Sequence, residues 1–129
     1  MIRSRVSSGS PFEAQFGFCR AMRIGDRIVV AGTAPIEDDG STTIGGAAEQ
    51  ADRCCALIVR AIEQLGGSAA DVVRTRMLLT DMSDATQQAI GAVHANWFGA
   101  DPPAATMAGV AALCRAEWIV EIEAEAVIG

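Results

Sequence analysis

The sequence has few of the residues that build metal sites, disulfide scaffolds or membrane spans. Its four cysteines form no Cys-x-x-C pair and His94 is its one histidine, so the common zinc ligand sets cannot assemble locally. No apolar run approaches the roughly 20 residues that a membrane helix needs, and the first residues lack the apolar stretch of a signal peptide. We therefore expect reduced cysteines, no metal or other cofactor, no membrane partner and a cytoplasmic location.

Low-complexity segments and long blocks of one charge are also absent. The 129 residues are 50% hydrophobic and 20% charged, a composition typical of a globular protein rather than of a disordered or fibrous one. A chain of this length can bury a core of its own, so residues 1–129 are predicted to form a single domain. The formal net charge of -6 disfavours nucleic acid as a partner, because it repels phosphate backbones.

Two segments have the apolar spacing of helices. Between residues 47 and 65, apolar side chains recur every three or four positions, and Gly66-Gly67 follows as a stop signal. Between residues 83 and 98, Ser83 is a candidate N-cap and the apolar residues lie along one side. Their order among the strands predicts an α+β sheet with both helices packed on one face. The strands are predicted at 2–7, 16–24, 26–34, 71–81, 104–113 and 118–127.

The closing strand alternates apolar and acidic residues. Its apolar set can pack against the core, whereas Glu121, Glu123 and Glu125 share the opposite face. The strand at 71–81 divides in the same way, with Arg74 and Arg76 on its charged face. We expect these arginines and glutamates to pair across neighbouring strands, each pair contributing about 0.2 to 1 kcal/mol. The other face of that strand is predicted to carry Val73, Thr75, Met77 and Leu79.

The strand at 26–34 contains a near-continuous apolar run, from Ile28 to Ala31. Such a run requires cover on both faces of the sheet. Two helices on one side cannot provide that cover, so we expect other copies of the chain to pack on the second face. Some of the charged residues would then lie in or beside clefts between protomers.

Four stretches carry a resemblance to a known family. They are GFCRAMRIGDRIVVAGTAP at 17–35, the segment from EQADRCC to LLTDM at 49–82, WFGADPPAATM at 97–107 and VEIEAEA at 120–126. In this order and spacing they resemble the Rid/YjgF family of small reactive-intermediate deaminases, also known as endoribonuclease L-PSP proteins. The resemblance covers nearly the whole chain. It implies a chorismate-mutase-like α+β fold and a homotrimer with a central β-barrel and three clefts between subunits.

The resemblance also implies roles for individual residues. In deaminating members, an arginine in the cleft pairs with the carboxylate of a small imine or enamine acid, and a glutamate of the closing strand positions the attacking water. That glutamate falls on Glu123, but the arginine falls on Ala105 or, in the neighbouring register, on Thr106. The family's tyrosine and glutamine near the start of the fold fall on Phe18 and Arg20. The carboxylate clamp is therefore missing, which would weaken binding of a small acid roughly tenfold to a hundredfold.

Three functions follow from these observations. The first is a small-molecule hydrolase that acts on C=N bonds, with Glu123 as the base and backbone groups near Gly32 and Met107 as polar contacts. The second is a non-catalytic trimer that binds a metabolite or a protein partner. Its pocket, lined by Phe18, Thr106 and Met107, would prefer a neutral or less acidic ligand. The third, an endoribonuclease, is disfavoured because the chain is acidic and has a single histidine.

An arginine elsewhere could replace the lost clamp. The candidates are Arg20, Arg74 and Arg76. Their more ordinary role is to neutralise the glutamates of the closing strand, and we prefer that interpretation.

Overall fold

A computed structural model describes the whole chain, residues 1–129. It is a mixed α+β fold in which one six-stranded sheet carries three helices. The helices are α1 (Pro11–Phe16), α2 (Ala47–Gln64) and α3 (Asp84–Phe98), and a short 3-10 turn spans Ala69–Asp71. The strands are β1 (Arg3–Val6), β2 (Ala21–Ile24), β3 (Arg27–Thr33), β4 (Val72–Leu79), β5 (Ala104–Gly109) and β6 (Val120–Val127).

The closing strand occupies the middle of the sheet. The strand order is β1-β2-β3-β6-β4-β5, and every pairing is antiparallel except that of β4 with β5. β2 and β3 form a hairpin whose turn contains Gly25 at φ +61°, a conformation that glycine adopts readily. Because β6 pairs on both sides, each of its side chains has neighbours from β3 and β4.

Both long helices lie on one face of the sheet, as the sequence predicted. α2 packs against β3 and β6, and α3 packs against α2. Ser83 caps α3 by accepting the N–H of Thr86 at 3.3 Å, and Gly66, at φ +92°, follows α2 where the stop signal was expected. The buried core includes Ile28, Ile58, Ile62, Leu79, Ile90 and Ile122, each 0% exposed.

The structure corrects three local predictions. The strand predicted at 104–113 ends at Gly109, because the residues after it form bends and turns. The strand predicted at 16–24 begins only at Ala21, because the preceding residues form α1 and its exit turn. In β4 the register shifts between Val72 and Arg74, so Val72 is buried and Val73 is 44% exposed. A bulge moves neighbouring residues between faces, which an alternating pattern cannot anticipate. Thr75, Met77 and Leu79 are buried as predicted.

The face of the sheet opposite the helices is charged, but it also exposes apolar side chains. Val29 of β3 and Val127 of β6 are 41% and 40% exposed, beside Glu125 and Arg27 in the strand register. A further contact that buried these side chains would remove apolar surface from water and would therefore be stabilising. No helix of the structure is both long and apolar enough to cross a bilayer.

Candidate functional site

Glu123 lies in a row of side chains that crosses the sheet. It is opposite Arg76 of β4, and Arg76 is in turn beside Thr106 of β5. Arg76 Nη1 and Glu123 Oε1 are 3.3 Å apart, and the two side chains are 42% and 39% exposed. The predicted cross-strand pairing is therefore confirmed for this glutamate, whose carboxylate is engaged by a cation.

The other two predicted residues of β5 have a different orientation. Ala105 and Met107 are in register with Thr75 and Met77, which are both buried under the helices. Partners in a parallel pair point to the same side of the sheet, so Ala105 and Met107 are on the helix side. Met107 packs against the core there. Within one chain, these residues do not join Thr106 and Glu123.

Arg20 and Gly32 meet at the other end of the outer face. The Arg20 side chain donates from Nη2 to the carbonyl oxygen of Gly32, while its buried Nε has no hydrogen-bond partner. Burial lowers the pKa of Arg20, and the negative charges of Glu13 and Glu121 oppose that shift. The guanidinium is thus held by a backbone group and balanced by two carboxylates.

Glu121 lies directly against Gly32. A Cβ atom placed on Gly32 would be 2.8 Å from Glu121 Oε1, so the absence of a side chain there makes room for the carboxylate. No arginine lies within 4.0 Å of Glu121, and the predicted salt bridge for this residue is wrong. Burial raises the pKa of Glu121, Arg20 acts to lower it and Glu123 adds to the rise.

Glu13, which was not among the site residues predicted from the sequence, is the second carboxylate whose charge acts on Arg20. It is only 7% exposed on α1, and its carboxylate accepts the backbone N–H of Ser8 at 2.9 Å and the Ser8 hydroxyl. Burial alone would raise the pKa of Glu13, but the hydrogen bonds from Ser8 outweigh it and lower the pKa. We call Glu13, Arg20 and Glu121 the acidic triad.

The helix that carries Glu13 had a signal in the sequence. Ser10 accepts the N–H of Phe12 at 3.2 Å, Pro11 occupies the first helical position and Gly17 ends the helix at φ +76°. Serine, proline and glycine at these positions are the expected boundaries of a helix. Phe18 follows Gly17, donates its N–H to Glu13 O at 3.0 Å and leaves its ring 43% exposed.

The third glutamate of β6 pairs with an arginine of β3. Glu125 Oε2 and Arg27 Nη2 are 3.1 Å apart, so Glu125 has an ion pair as predicted, but with an arginine of β3 rather than with Arg74 or Arg76. Arg74 is opposite Glu125 in the register and makes no ion pair. The three alternating glutamates therefore occupy three different environments.

The remaining candidate groups are placed in the interior. His94 is half-buried; its Nε2 lies 2.7 Å from Thr75 Oγ1, and burial lowers its pKa. Cys54 and Cys55 are 0% exposed, and burial raises the pKa of Cys55 to about 12. Both thiols are protonated at neutral pH, since the pKa of Cys54 is also raised by burial. The structure has no group of three or more His, Cys, Asp and Glu side chains positioned around a metal ion.

The chemical capacity of the outer face follows from these contacts. Glu121 is the carboxylate of β6 that has no ion pair and an elevated pKa. A carboxylate in that state can exchange a proton with a bound water more readily than one whose charge is held by an arginine.

Comparisons with known proteins extend over most of the chain. The endoribonuclease L-PSP family model matches residues 9–128, which include the acidic triad. An uncharacterized protein of Streptomyces coelicolor is 36% identical over 125 residues, covering 97% of this chain and 92% of that protein. A RutC family protein of Pyrococcus abyssi is 31% identical over 108 residues, covering 83% of each.

Solved structures share the arrangement of strands and helices. A member of the YjgF/YER057c/UK114 family from Mycobacterium tuberculosis has a TM-score of 0.88 at 41% identity, covering 98% of this chain and 100% of that one. RidA from an Antarctic Psychrobacter bacterium has a TM-score of 0.79 at 28% identity, covering 86% of this chain and 88% of that one.

Proposed function

Because the chain belongs to the endoribonuclease L-PSP family, the family of YjgF and Rid proteins, we propose that it hydrolyses small imines or enamines at clefts between the subunits of a homotrimer. A glutamate of β6 acts as the base that accepts a proton from the attacking water. Two residues compete for that role: Glu123, which the sequence predicts, and Glu121, which lies two positions earlier on the same face.

The environment of Glu121 carries the proposal. Its carboxylate has no arginine within ion-pair distance, whereas Glu123 is 3.3 Å from Arg76. Burial raises the pKa of Glu121, which brings it closer to the range in which a carboxyl both accepts and returns a proton at neutral pH. These features favour Glu121 as the base and give Glu123 the role of holding Arg76.

The reaction needs one carboxylate and one water. As the water oxygen bonds to the imine carbon, the π electrons of the C=N bond move to nitrogen and Glu121 takes one water proton. Glu121 then returns that proton to the nitrogen, which gives the neutral carbinolamine. A second transfer through the same carboxylate moves the hydroxyl proton to the nitrogen, so the C–N bond breaks with ammonia as the leaving group while the carbonyl forms. The sum is imine plus water giving carbonyl compound plus ammonia, so no oxidant or cofactor is consumed.

The trimer is proposed because the outer face of the sheet has the surface to form one. Val29 and Val127 are two-fifths exposed there, among charged side chains that would line the edges of a contact. Packing outer faces together would cover these valines and enclose Glu121, which would raise the strength of its electrostatic interactions. Sedimentation equilibrium should give about 40 kDa, three times the 13.4 kDa of one chain.

A second candidate is a trimer that binds a small metabolite without converting it. It is favoured by the absence of an arginine at Ala105 and Thr106, and by the engagement of Arg20 with Gly32. Ribonuclease activity has less support, because His94 is held against Thr75 between the helices and the sheet. The two candidates differ in whether ammonia is released.

The decisive experiment measures ammonia release from freshly generated imines, with spontaneous hydrolysis subtracted. Wild type is expected to accelerate release from at least one small imine, and Glu121→Gln to lower kcat/KM about a hundredfold or more. Glu123→Gln should lower it less than about tenfold, since that residue acts through Arg76. Glu125→Gln is the matched control, because it removes the same charge from the same face.

Each alternative outcome has a distinct meaning. If wild type releases ammonia no faster than buffer from acidic, neutral and cationic imines, the hydrolase proposal is wrong. Greater loss in Glu123→Gln than in Glu121→Gln would assign the base to the residue predicted from the sequence. Equal loss in all three variants would indicate a general effect of charge on the face rather than a specific base.

A further inference from the structure

Arg20 and Glu121 both lie against Gly32, although neither Glu121 nor Glu13 is within ion-pair distance of the Arg20 guanidinium. The negative charges of Glu13 and Glu121 both raise the pKa of Arg20, against the effect of burial. Glu13 is fixed in its ionised form by the N–H and hydroxyl of Ser8, and Arg20 is fixed by its bond to the Gly32 carbonyl. With two carboxylates and one guanidinium, the acidic triad has a net charge of about -1 when all three groups are ionised.

The other arginines of the outer face are occupied or distant. Arg76 pairs with Glu123 at 3.3 Å, and Arg27 pairs with Glu125 at 3.1 Å. Arg3 and Arg5 of β1 make no ion pair, but β2 and β3 separate them from β6. Arg74 is unpaired, but it lies four residues along β4 from Leu78, the residue opposite Glu121. Four residues of strand span about 13 Å, far more than the separation of a carboxylate from the imine carbon next to it. Within the chain, no uncommitted cation lies beside Glu121.

We infer that the substrates of this site are small imines without a carboxylate, bound as neutral molecules or as protonated iminium cations. The inference rests on the proposed function and names the class of substrate that the acidic triad selects. An iminium ion next to the triad would bring the local charge close to zero. An imino acid anion would instead make it more negative, with no arginine of the same chain free to pair with its carboxylate.

The same charge arrangement suits the chemistry. A protonated C=N bond is more electrophilic at carbon than a neutral one, and negative charge beside it favours the protonated form. Glu13 acts here as a specificity-determining residue, because its negative charge offsets that of Arg20 while its own carboxylate is held by Ser8. Glu121 supplies the base and Arg20 keeps the two carboxylates from repelling each other.

Binding of stable analogues tests the inference independently of turnover. Acetamidinium is a planar cation with the shape of an iminium, acetone is its neutral counterpart and pyruvate carries the carboxylate. Titration followed by nuclear magnetic resonance of the protein gives a Kd for each. Wild type is expected to bind acetamidinium about tenfold or more tightly than pyruvate.

Two substitutions should move this preference in opposite directions. Glu13→Gln removes one negative charge while keeping an oxygen for the Ser8 N–H, and it should lower the acetamidinium-to-pyruvate preference about tenfold. Arg20→Gln removes the positive charge and should increase the preference by a similar factor. Glu125→Gln, which changes the net charge equally at a distance, should alter it less than about twofold.

The outcomes separate this inference from the proposed function. Wild type that binds pyruvate more tightly than acetamidinium, or that binds neither, overturns the inference. So does a preference that Glu13→Gln and Arg20→Gln leave unchanged, provided both variants are folded by circular dichroism. Preferential acetamidinium binding with no ammonia release from any imine would support the charge selection and refute the hydrolase. Ammonia release mainly from imino acids would do the reverse.

Discussion

The side chains on the inner face of β6 all have the same environment, whereas those on the outer face have different ones. On the inner face, Val120, Ile122, Ala124 and Ala126 are all between 0% and 2% exposed. On the outer face, one glutamate pairs with Arg76, one pairs with Arg27 and one has no ion pair. The inner residues are alike because the helix layer covers them all, whereas each outer residue takes its properties from a different neighbour.

This difference separates stability from function along a single strand. The inner residues exchange water for packed apolar contacts, which is the main favourable contribution to folding. Glu121, in contrast, is partly removed from water without an ion pair, a state that weakens the fold. A group kept in an unfavourable environment is a candidate for chemistry rather than for structure.

The largest expected effect is on the inner face. Ile122→Ala should lower the free energy of unfolding by about 2 to 5 kcal/mol, because Ile122 is 0% exposed and its loss leaves a cavity between sheet and helices. Denaturant unfolding monitored by circular dichroism measures the change. Val127→Ala on the same strand is the control; in the monomer it should cost less than about 1 kcal/mol, because that side chain is 40% exposed there. Equal losses in the two variants would contradict the assignment of the faces.

The next effect is on activity alone. Gly32→Ala would place a methyl group 2.8 Å from Glu121 Oε1, and the flexible carboxylate would have to move aside. Displacement of a catalytic group by about 1 Å can reduce kcat/KM about a hundredfold, which the ammonia assay detects. The Tm should change little, since the end of one side chain absorbs the contact. Gly91→Ala in α3 is the control, because a Cβ added at Gly91 would have no atom within 4 Å. Full activity in Gly32→Ala would argue against Glu121 as the base.

Much of the fold was predictable because it depends on local patterns. Apolar residues recur at every second position in β6 and at every third or fourth position in α2, and in each element they form one buried face. The bounds of both elements agree with the predicted bounds within a residue or two. The strand predicted at 16–24 was wrong at its start because a six-residue helix has too few turns to show a period. Its caps at Ser10 and Gly17 were the available signal.

The site was less predictable because it is assembled from distant segments. Glu13, Arg20, Gly32 and Glu121 come from α1, the loop before β2, β3 and β6. Alternation put all three glutamates on the correct face, but it could not distinguish them. Which one lacks an ion pair depends on the register of β6 with β3 and β4, and that register is a tertiary property.

A smaller effect should distinguish Glu121 from Glu13 by pH. The pKa of Glu121 is raised by burial, so its ionised form weakens the fold above the folded pKa, and this penalty disappears below the unfolded value of about 4.5. The pKa of Glu13 is lowered, so its stabilisation is present above 4.5 and is lost as the pH falls through its folded pKa. At neutral pH, Glu121→Gln should therefore raise Tm and Glu13→Gln should lower it. Thermal unfolding at several pH values would show both differences shrinking in acid; two shifts of the same sign would refute the contrast.

The smallest effect concerns the two ion pairs of the outer face. A double-mutant cycle of Arg76→Ala with Glu123→Ala should give a coupling energy of about 0.2 to 1 kcal/mol, because both side chains are about two-fifths exposed. The cycle of Arg27→Ala with Glu125→Ala should give a smaller coupling energy. Arg27 is 59% exposed, so water solvates its guanidinium almost as well when the ion pair is absent. Salt should weaken both couplings.

If the proposed trimer covers this face, however, water is excluded from both ion pairs. Removing one partner alone would then leave a buried unpaired charge, which carries a larger penalty. Coupling well above 1 kcal/mol that depends on protein concentration would thus locate the pairs inside the assembly.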